Sequence, residues 1–274
     1  MKNRIWKRIG KWAAVAIVLL ICLSLYGYFV NNAQVFRHIY VNASRDSKVV
    51  ALTFDDGPNE PYTSQILDVL KEKGVKATFF LIGKNAEMYP EIAKRILAQG
   101  HVIGNHSYSH WNHHALTSFG MGDLEKNETA LYNLLGVKPH FCRPTFGRKS
   151  PWELAAVKNN GMEAVNWDVF ANDLHIHHAA DDYWAGRFAG HIVKDTKGGS
   201  IVLLHDGFGT VHDGKFGADK SLIVLALPKI IDQFRAKGYT LVTVPELLKI
   251  RAYNNQSFGV LPAVAVQDNA LKVS

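Results

Sequence analysis

The chain has 274 residues and a formal net charge of +7, which leaves room for one large domain or at most two. Lys2, Arg4, Lys7, Arg8 and Lys11 supply five of those charges, so the rest is nearly balanced and lacks the basic face of a nucleic-acid binder; no nucleic-acid partner is expected. Cys22 and Cys142 are the only cysteines and lie far apart, which excludes a disulfide framework.

From Trp12 to Val30 no residue is charged, and at about 1.5 Å per residue this stretch can cross a hydrocarbon core about 30 Å thick. The basic residues before it place 1–11 in the cytoplasm and everything after 31 outside. A cleaved signal peptide would need a shorter apolar region and a small-x-small site, for which only Asn31 to Ala33 is on offer. The expectation is a membrane signal anchor over 12–30 and a linker over 31–47.

Val49 to Phe54 is an uncharged β-branched and aromatic run, as expected of a strand buried on both faces, and Gly57-Pro58 then forces a turn. Asp55 and Asp56 therefore fall at the carboxyl end of a strand, where parallel α/β folds carry ligands and catalysis. The alternative is that one caps the helix after Pro61 and the other is solvated. Onward the pattern predicts helix 63–73, strand 77–82, helix 90–99, strand 101–104, helix 121–135, strand 140–142, helix 151–160 and strand 162–166. Helix 181–193, strand 200–204, helix 227–236, strand 239–242 and a short helix from Pro245 follow. Such repeated units predict an α/β fold: an irregular (β/α) barrel of about seven parallel strands, closed or nearly so, preceded by one transmembrane helix. Residues 251–274 form a tail with no clear period and no assigned role.

His106 and His110 follow the third strand, and an i, i+4 pair on one helical turn can aim two imidazoles at one point. With one carboxylate they would make a two-His, one-Asp site for a divalent ion, an arrangement suited to hydrolysis because it acidifies water and polarises a carbonyl. The alternative is a pair of surface histidines. His101, His113 and His114 are read as bystanders or supporting groups.

Taken together, Thr53-Phe-Asp-Asp-Gly-Pro58, Ala77-Thr-Phe-Phe80, Asn105-His-Ser-Tyr-Ser-His110, Arg143-Pro-Thr-Phe-Gly147 and Leu203-Leu-His-Asp206 come in an order that resembles the polysaccharide deacetylase family, whose shared unit is the NodB homology domain. The resemblance spans about residues 48–250. It implies a divalent metal, zinc first with cobalt, manganese or nickel as alternatives, and removal of N-acetyl groups from the aminosugars of a glycan. Residue by residue it implies Asp56, His106 and His110 as metal ligands, Asp55 as general base, Arg143 as the group that orients the base, and His205 as the general acid that protonates the leaving amine. Phe146, where the family usually has Tyr, would contribute a backbone N–H to the oxyanion, and Leu203 would line the acetyl pocket. The fourth motif departs from the family pattern. Two aspartates three apart followed by Trp are replaced by Phe170, Asp173 and Leu174, so Asp173 remains to orient His205 while the pocket wall changes. Asp168 stands at the wrong offset to substitute. His175, His177 and His178 follow, either on a glycan or in a solvated loop, and the glycine-rich loop 206–220 is either a cover over the site or a surface insertion. Tyr62, Tyr108, Trp111, Trp152 and Trp184 are candidates for stacking on sugars.

The function expected is hydrolysis of N-acetyl groups in a cell-envelope polysaccharide, with peptidoglycan N-acetylglucosamine first and exopolysaccharide or chitooligosaccharide next. The rivals are an O-acetyl polysaccharide esterase and an anchored glycan-binding protein without catalysis. Protein partners are not legible in the sequence.

Overall fold

The computed structural model describes residues 2–30, 32–111, 118–170, 173, 181–210 and 219–255. It begins with α1 (Lys2–Phe29), whose span Ile9–Phe29 is long and apolar enough to cross a membrane by length and composition. Trp12, Leu19, Leu20 and Leu23 stand exposed on this helix, an apolar surface that soluble monomers rarely present.

The body alternates strand and helix: β1 (Val49–Asp55), α2 (Tyr62–Glu72), β2 (Thr78–Leu81), α3 (Gly83–Met88), α4 (Pro90–Ala98), β3 (Val102–Asn105) and α5 (Ser118–Leu135). Then come β4 (Phe141–Cys142), a 3₁₀ turn (Thr145–Gly147), α6 (Pro151–Asn159), β5 (Glu163–Ala164), β6 (Val169–Phe170) and α7 (Asp182–Asp195). The last are β7 (Ile201–His205), α8 (Ser221–Ala236), β8 (Thr240–Val242) and α9 (Val244–Leu248). All pairings between these strands are parallel, in the order β5-β4-β3-β2-β1-β7-β6, with β8 against the start of β1. β5 and β6 are the two edges, so the expected barrel is open there.

Period two along β1 decides what faces where. Val50, Leu52 and Phe54 join the main core under the helices, whereas Ala51 belongs to the inner cluster with Phe80, Phe141 and Ile201. Thr53 and Asp55 continue that inner face, and the ladder sets Asp55 opposite His205 and Thr53 opposite Leu203. On the outside, α2 buries Ile66, Leu67 and Leu70, the stripe predicted for it, and α8 adds Leu222, Ile223, Ala226, Leu227, Ile230, Ile231 and Phe234. Burial of each such side chain contributes roughly 1.5–3 kcal/mol, so the face away from the site carries most of the stability.

Two elements escaped the pattern and one was mis-started. α3 and the two-residue β6 are too short to show a period. α8 begins at Ser221, not 227, because Pro228 sits inside the helix and not at its first turn. The segment read as a linker is packed on the domain: Tyr40 bridges Val165, Asn42 bridges Ser200, and Ile39 is buried. At the other end Tyr253 is fully buried, its hydroxyl accepting from the Ile103 N–H.

Candidate active site

Asp55, Asp56, His106, His110, Phe146, Trp167, Phe170, Leu203, His205 and Phe208 line one cleft of about 270 Å³ at the carboxyl ends of the strands. Asp55 ends β1, and its Oδ1 accepts from Arg143 Nη1 at 2.7 Å. Arg143 is wholly buried. It also donates to Thr53 Oγ1, Val165 O and Asn166 O, and its guanidinium lies 4.1 Å from the centre of the Phe80 ring. Four acceptors and an aromatic face hold this cation without water, so the Asp55 carboxylate is fixed through one oxygen and keeps the other for the cleft.

Asp56 turns out of the strand with φ 75°, the left-handed region that Asp tolerates better than most residues. Its Oδ2 accepts from the Gly209 N–H at 2.9 Å. Oδ1 lies 3.3 Å from His106 Nε2 and 3.2 Å from His110 Nε2, and is buried without a completed hydrogen bond. His106 Nδ1 meets the Arg143 carbonyl at 2.8 Å, which turns Nε2 toward Asp56. Burial disfavours charge on Asp56, yet the His110 and His106 imidazoles outweigh it and hold its carboxyl well below the usual range. Burial likewise opposes the charged form of His106, but Asp55 and Asp56 raise its pKa; for His110 burial prevails and lowers it.

The donor atoms of Asp56, His106 and His110 all lie within 4.8 Å of one another, two imidazole nitrogens and one carboxylate oxygen around an otherwise orphaned buried atom. That set fits a divalent cation with positions left open. The helical turn expected for the histidines is corrected: residues 106–110 form an irregular loop, with Ser107 (φ 63°) and His110 (φ 52°) left-handed. The His110 N–H donates to Ser107 Oγ, while Asp123 Oδ2 accepts from the Tyr108 and Ser109 N–H groups, so side chains replace the missing helical bonds.

Across the cleft, His205 ends β7. Its Nδ1 meets Asp173 Oδ1 at 2.7 Å and its N–H donates to Asp173 Oδ2 at 2.8 Å. Burial opposes the imidazolium, but Asp173 overcomes it and the pKa is raised. Lys220, 1 % exposed, stands 3.7 Å from the same carboxylate. Phe170 takes the wall position, its ring 6.2 Å from that of His205, and Leu203 lies beside it in the ladder. Phe146 sits on the 3₁₀ turn with φ 58°, its ring 4.7 Å from that of His110. Leu174, His113, His114, His175, His177 and His178 lie outside the described residues, as does most of the glycine-rich loop.

Asp168 and His101, which the sequence reading left outside the site, serve the fold. Asp168 accepts from Ser200 Oγ and the Ile201 N–H and pairs with Arg45, at the far end of β7 from the site. His101 is buried, accepts from the Ala77 N–H, and is pushed down to about 3 by burial and by Lys76 and Arg95. Trp184 packs on the main core, whereas Trp111 and Trp152 are exposed.

Sequence reasoning missed Asn85, whose amide donates to Asp56 O and Gly209 O and so ties the loop after β7 to the turn that carries Asp56. It also missed Asp206 as part of the site. Thr63 Oγ1 donates to its Oδ2 at 2.7 Å, and a Cβ on Gly57 would lie 2.0 Å from that oxygen, so the Gly of the first motif makes room for an acid of the last. Burial pushes Asp206 up to about 7, with Thr63 pulling the other way. The one available signal was Asp206 following His205 directly.

A family model described as polysaccharide deacetylase matches residues 42–165. A peptidoglycan-N-acetylglucosamine deacetylase of Bacillus cereus is 39% identical over 205 residues, 73% of this chain and 68% of that protein. Among solved structures, the Bc1960 peptidoglycan N-acetylglucosamine deacetylase in complex with 4-naphthalen-1-yl-N-oxidanyl-benzamide superposes with a TM-score of 0.69 at 34% identity, covering 78% of this chain and 94% of that one. A mutant of BA3943, a CE4 family pseudoenzyme with restored enzymatic activity, has a TM-score of 0.65 at 26% identity over 76% and 70% of the two chains.

Proposed function

The chain belongs to the polysaccharide deacetylase family, and from that premise we propose that it removes N-acetyl groups from the aminosugars of a cell-envelope glycan, peptidoglycan N-acetylglucosamine first. The observation that carries this reading is the convergence in one cleft of three kinds of group. They are a two-nitrogen, one-oxygen donor set, a carboxylate gripped by a buried arginine, and an imidazole gripped by a buried carboxylate.

Asp56, His106 and His110 hold the cation, which we take to be zinc, with cobalt, manganese or nickel as alternatives for the same donors. When bound, such an ion polarises the acetyl carbonyl and acidifies water. Asp55 is the base. Arg143 occupies its Oδ1 and orients the carboxylate, leaving Oδ2 to take the proton of the water that attacks the carbonyl. The Phe146 N–H donates to the oxyanion that develops, and the buried Leu203 side chain receives the acetyl methyl. His205 carries its proton on Nε2, because Asp173 engages Nδ1, and gives it to the nitrogen as the C–N bond breaks and acetate departs. An amine leaves poorly without that proton, so a well-held imidazolium favours amides over the esters of an O-acetyl esterase. The catalytic unit is residues 48–250; 1–11 remain cytoplasmic, 12–30 anchor the chain, and the domain works outside.

The test is acetate release by the metal-loaded full chain from N-acetylglucosamine oligomers, peptidoglycan and O-acetylated xylan. Release from an N-acetylated glycan, abolished by chelator and restored by zinc, is expected. Glycan binding without release from any of them returns the chain to the binding-protein reading.

A further inference from the structure

An α-helix ends with four carbonyls that have no partner of their own. At the end of α1 the catalytic domain supplies partners: the Lys149 N–H donates to Tyr28 O at 3.4 Å, and Lys149 Nζ donates to Val30 O at 2.6 Å. Lys149 is 1 % exposed, so its ammonium has given up water for this position, and Tyr28 is buried with it. Gly27 lies so close to Phe36 that a Cβ there would be 2.8 Å from its ring. Next in the chain, the Arg148 guanidinium lies 5.8 Å from the centre of the Phe29 ring and 5.2 Å from that of Phe146. Phe146 lines the cleft. A single guanidinium therefore separates the last residue of the apolar helix from the rim of the active site.

From Ala33 onward the segment is packed on the domain. Ala33 and Ile39 are buried, Tyr40 and Asn42 bridge Val165 and Ser200, and Arg45 pairs with Asp168. Trp152, on the first turn of α6 just beyond Lys149, is 61 % exposed, an amphipathic side chain of the kind enriched at membrane interfaces.

We propose that α1 is retained as a membrane span and that its docked end holds the mouth of the cleft at the bilayer surface, so that the substrate is glycan held there, carrying a lipid attachment, and not polymer farther out. The substrate part of this inference rests on the deacetylase reading; the docking part does not. A helix whose span ends at Phe29 puts Arg148 and Phe146 in or just above the headgroup layer. The packed segment 33–45 prevents the domain from swinging away. Tethering enzyme and substrate to one surface raises their effective concentration without any new contact.

The experiment uses the full chain in phospholipid vesicles, with Cys22→Ser and a fluorophore on Phe208→Cys at the cleft, reading energy transfer to acceptor-labelled headgroups. Cys142 is buried and stays unlabelled. Strong transfer is expected in this protein. It should persist when a flexible Gly/Ser spacer of about 20 residues is inserted after Asn31, because the helix-end contacts remain. It should fall when Lys149→Met is added to the spacer, which removes the ammonium from Val30 O and leaves only the 3.4 Å main-chain bond to Tyr28 O to hold the domain. Weak transfer in the parent, loss with the spacer alone, or no change with Lys149→Met present would overturn the docking, as would recovery from membranes of a chain lacking residues 1–30. The parent and the spacer-bearing Lys149→Met chain (the released chain), both with Phe208 intact, are then compared on a soluble N-acetylglucosamine oligomer and on the same oligomer carried by a lipid. The released chain should keep its rate on the soluble oligomer and lose about tenfold on the tethered one. An equal ratio overturns the substrate assignment. Absence of acetate release from both, with transfer intact, sinks the deacetylase reading and leaves the docking standing.

Discussion

On the β1–β3 side of the cleft, Asp55 is gripped by an arginine with three further acceptors, Asp56 by the Gly209 N–H, and His106 by a backbone carbonyl. On the β6–β7 side, His205 depends on one residue, Asp173, which takes both its ring nitrogen and its N–H, and β6 beside it is two residues long. The first wall is held by one buried guanidinium and several main-chain bonds; the second is held through a single carboxylate. This difference teaches where the reaction is robust and where it is tunable. In the reaction proposed above, groups that bind or polarise must not move, whereas a proton donor has to be matched to pH, and one charged neighbour is the simplest way to match it.

The strongest blow to the rigid wall is Asp55→Asn, which leaves a hydrogen-bond acceptor for Arg143 but no base. Acetate release from N-acetylglucosamine oligomers should fall by about 10⁴, the upper end for general acid–base catalysis, with an unchanged circular dichroism spectrum. More than a tenth of the parent rate would remove Asp55 from its role. On the opposite wall, His205→Ala should cost about 10²–10³ on the amide and much less on an O-acetyl ester, whose alcohol leaves more readily. Equal losses on both substrates would mean that His205 is not the acid.

Asp173→Asn sharpens the contrast. Burial lowers the His205 pKa and Asp173 outweighs it, so the folded value is raised. The acid form then persists to higher pH, and the rate declines as pH rises through that raised value. Replacing the carboxylate by an amide should move the basic limb of kcat to lower pH. An unmoved limb with a uniformly lower rate would make Asp173 structural only.

The smallest expected effect on activity is that of Asp206→Asn, which touches stability instead. Asp206 keeps its proton up to about 7, while in the unfolded chain it loses it near 3.8. The folded protein thus binds the extra proton across that window, and stability falls as pH rises through it, by on the order of 4 kcal/mol. Asn at 206 still accepts from Thr63 and should flatten the dependence of Tm on pH; an unaltered dependence would place the titration elsewhere.

Much of the fold was legible because it is written in local periods. The stripe of α2 and the uncharged run of β1 appear in the structure where the pattern put them, and Asp55-Asp56 fall at the strand end because Gly57-Pro58 stops the strand. Where a period was too short, as in α3 and β6, or interrupted, as by Pro228 in α8, the reading failed. The two histidines meet beside Asp56 but not on a helical turn, since spacing alone does not distinguish such a turn from a loop whose hydrogen bonds come from Ser107 and Asp123.

By itself, then, the sequence determined which residue types stand at which strand ends, the apolar span before them, and the family to which that order belongs. Tertiary structure alone decided the partnerships. Arg143 meets Asp55 across 88 residues, Asp173 meets His205 across 32, and Lys149 caps the helix end across 119. The physical reason is that periodicity is a property of neighbouring residues, whereas these pairs exist only once parallel register and buried packing have brought distant groups out of water together.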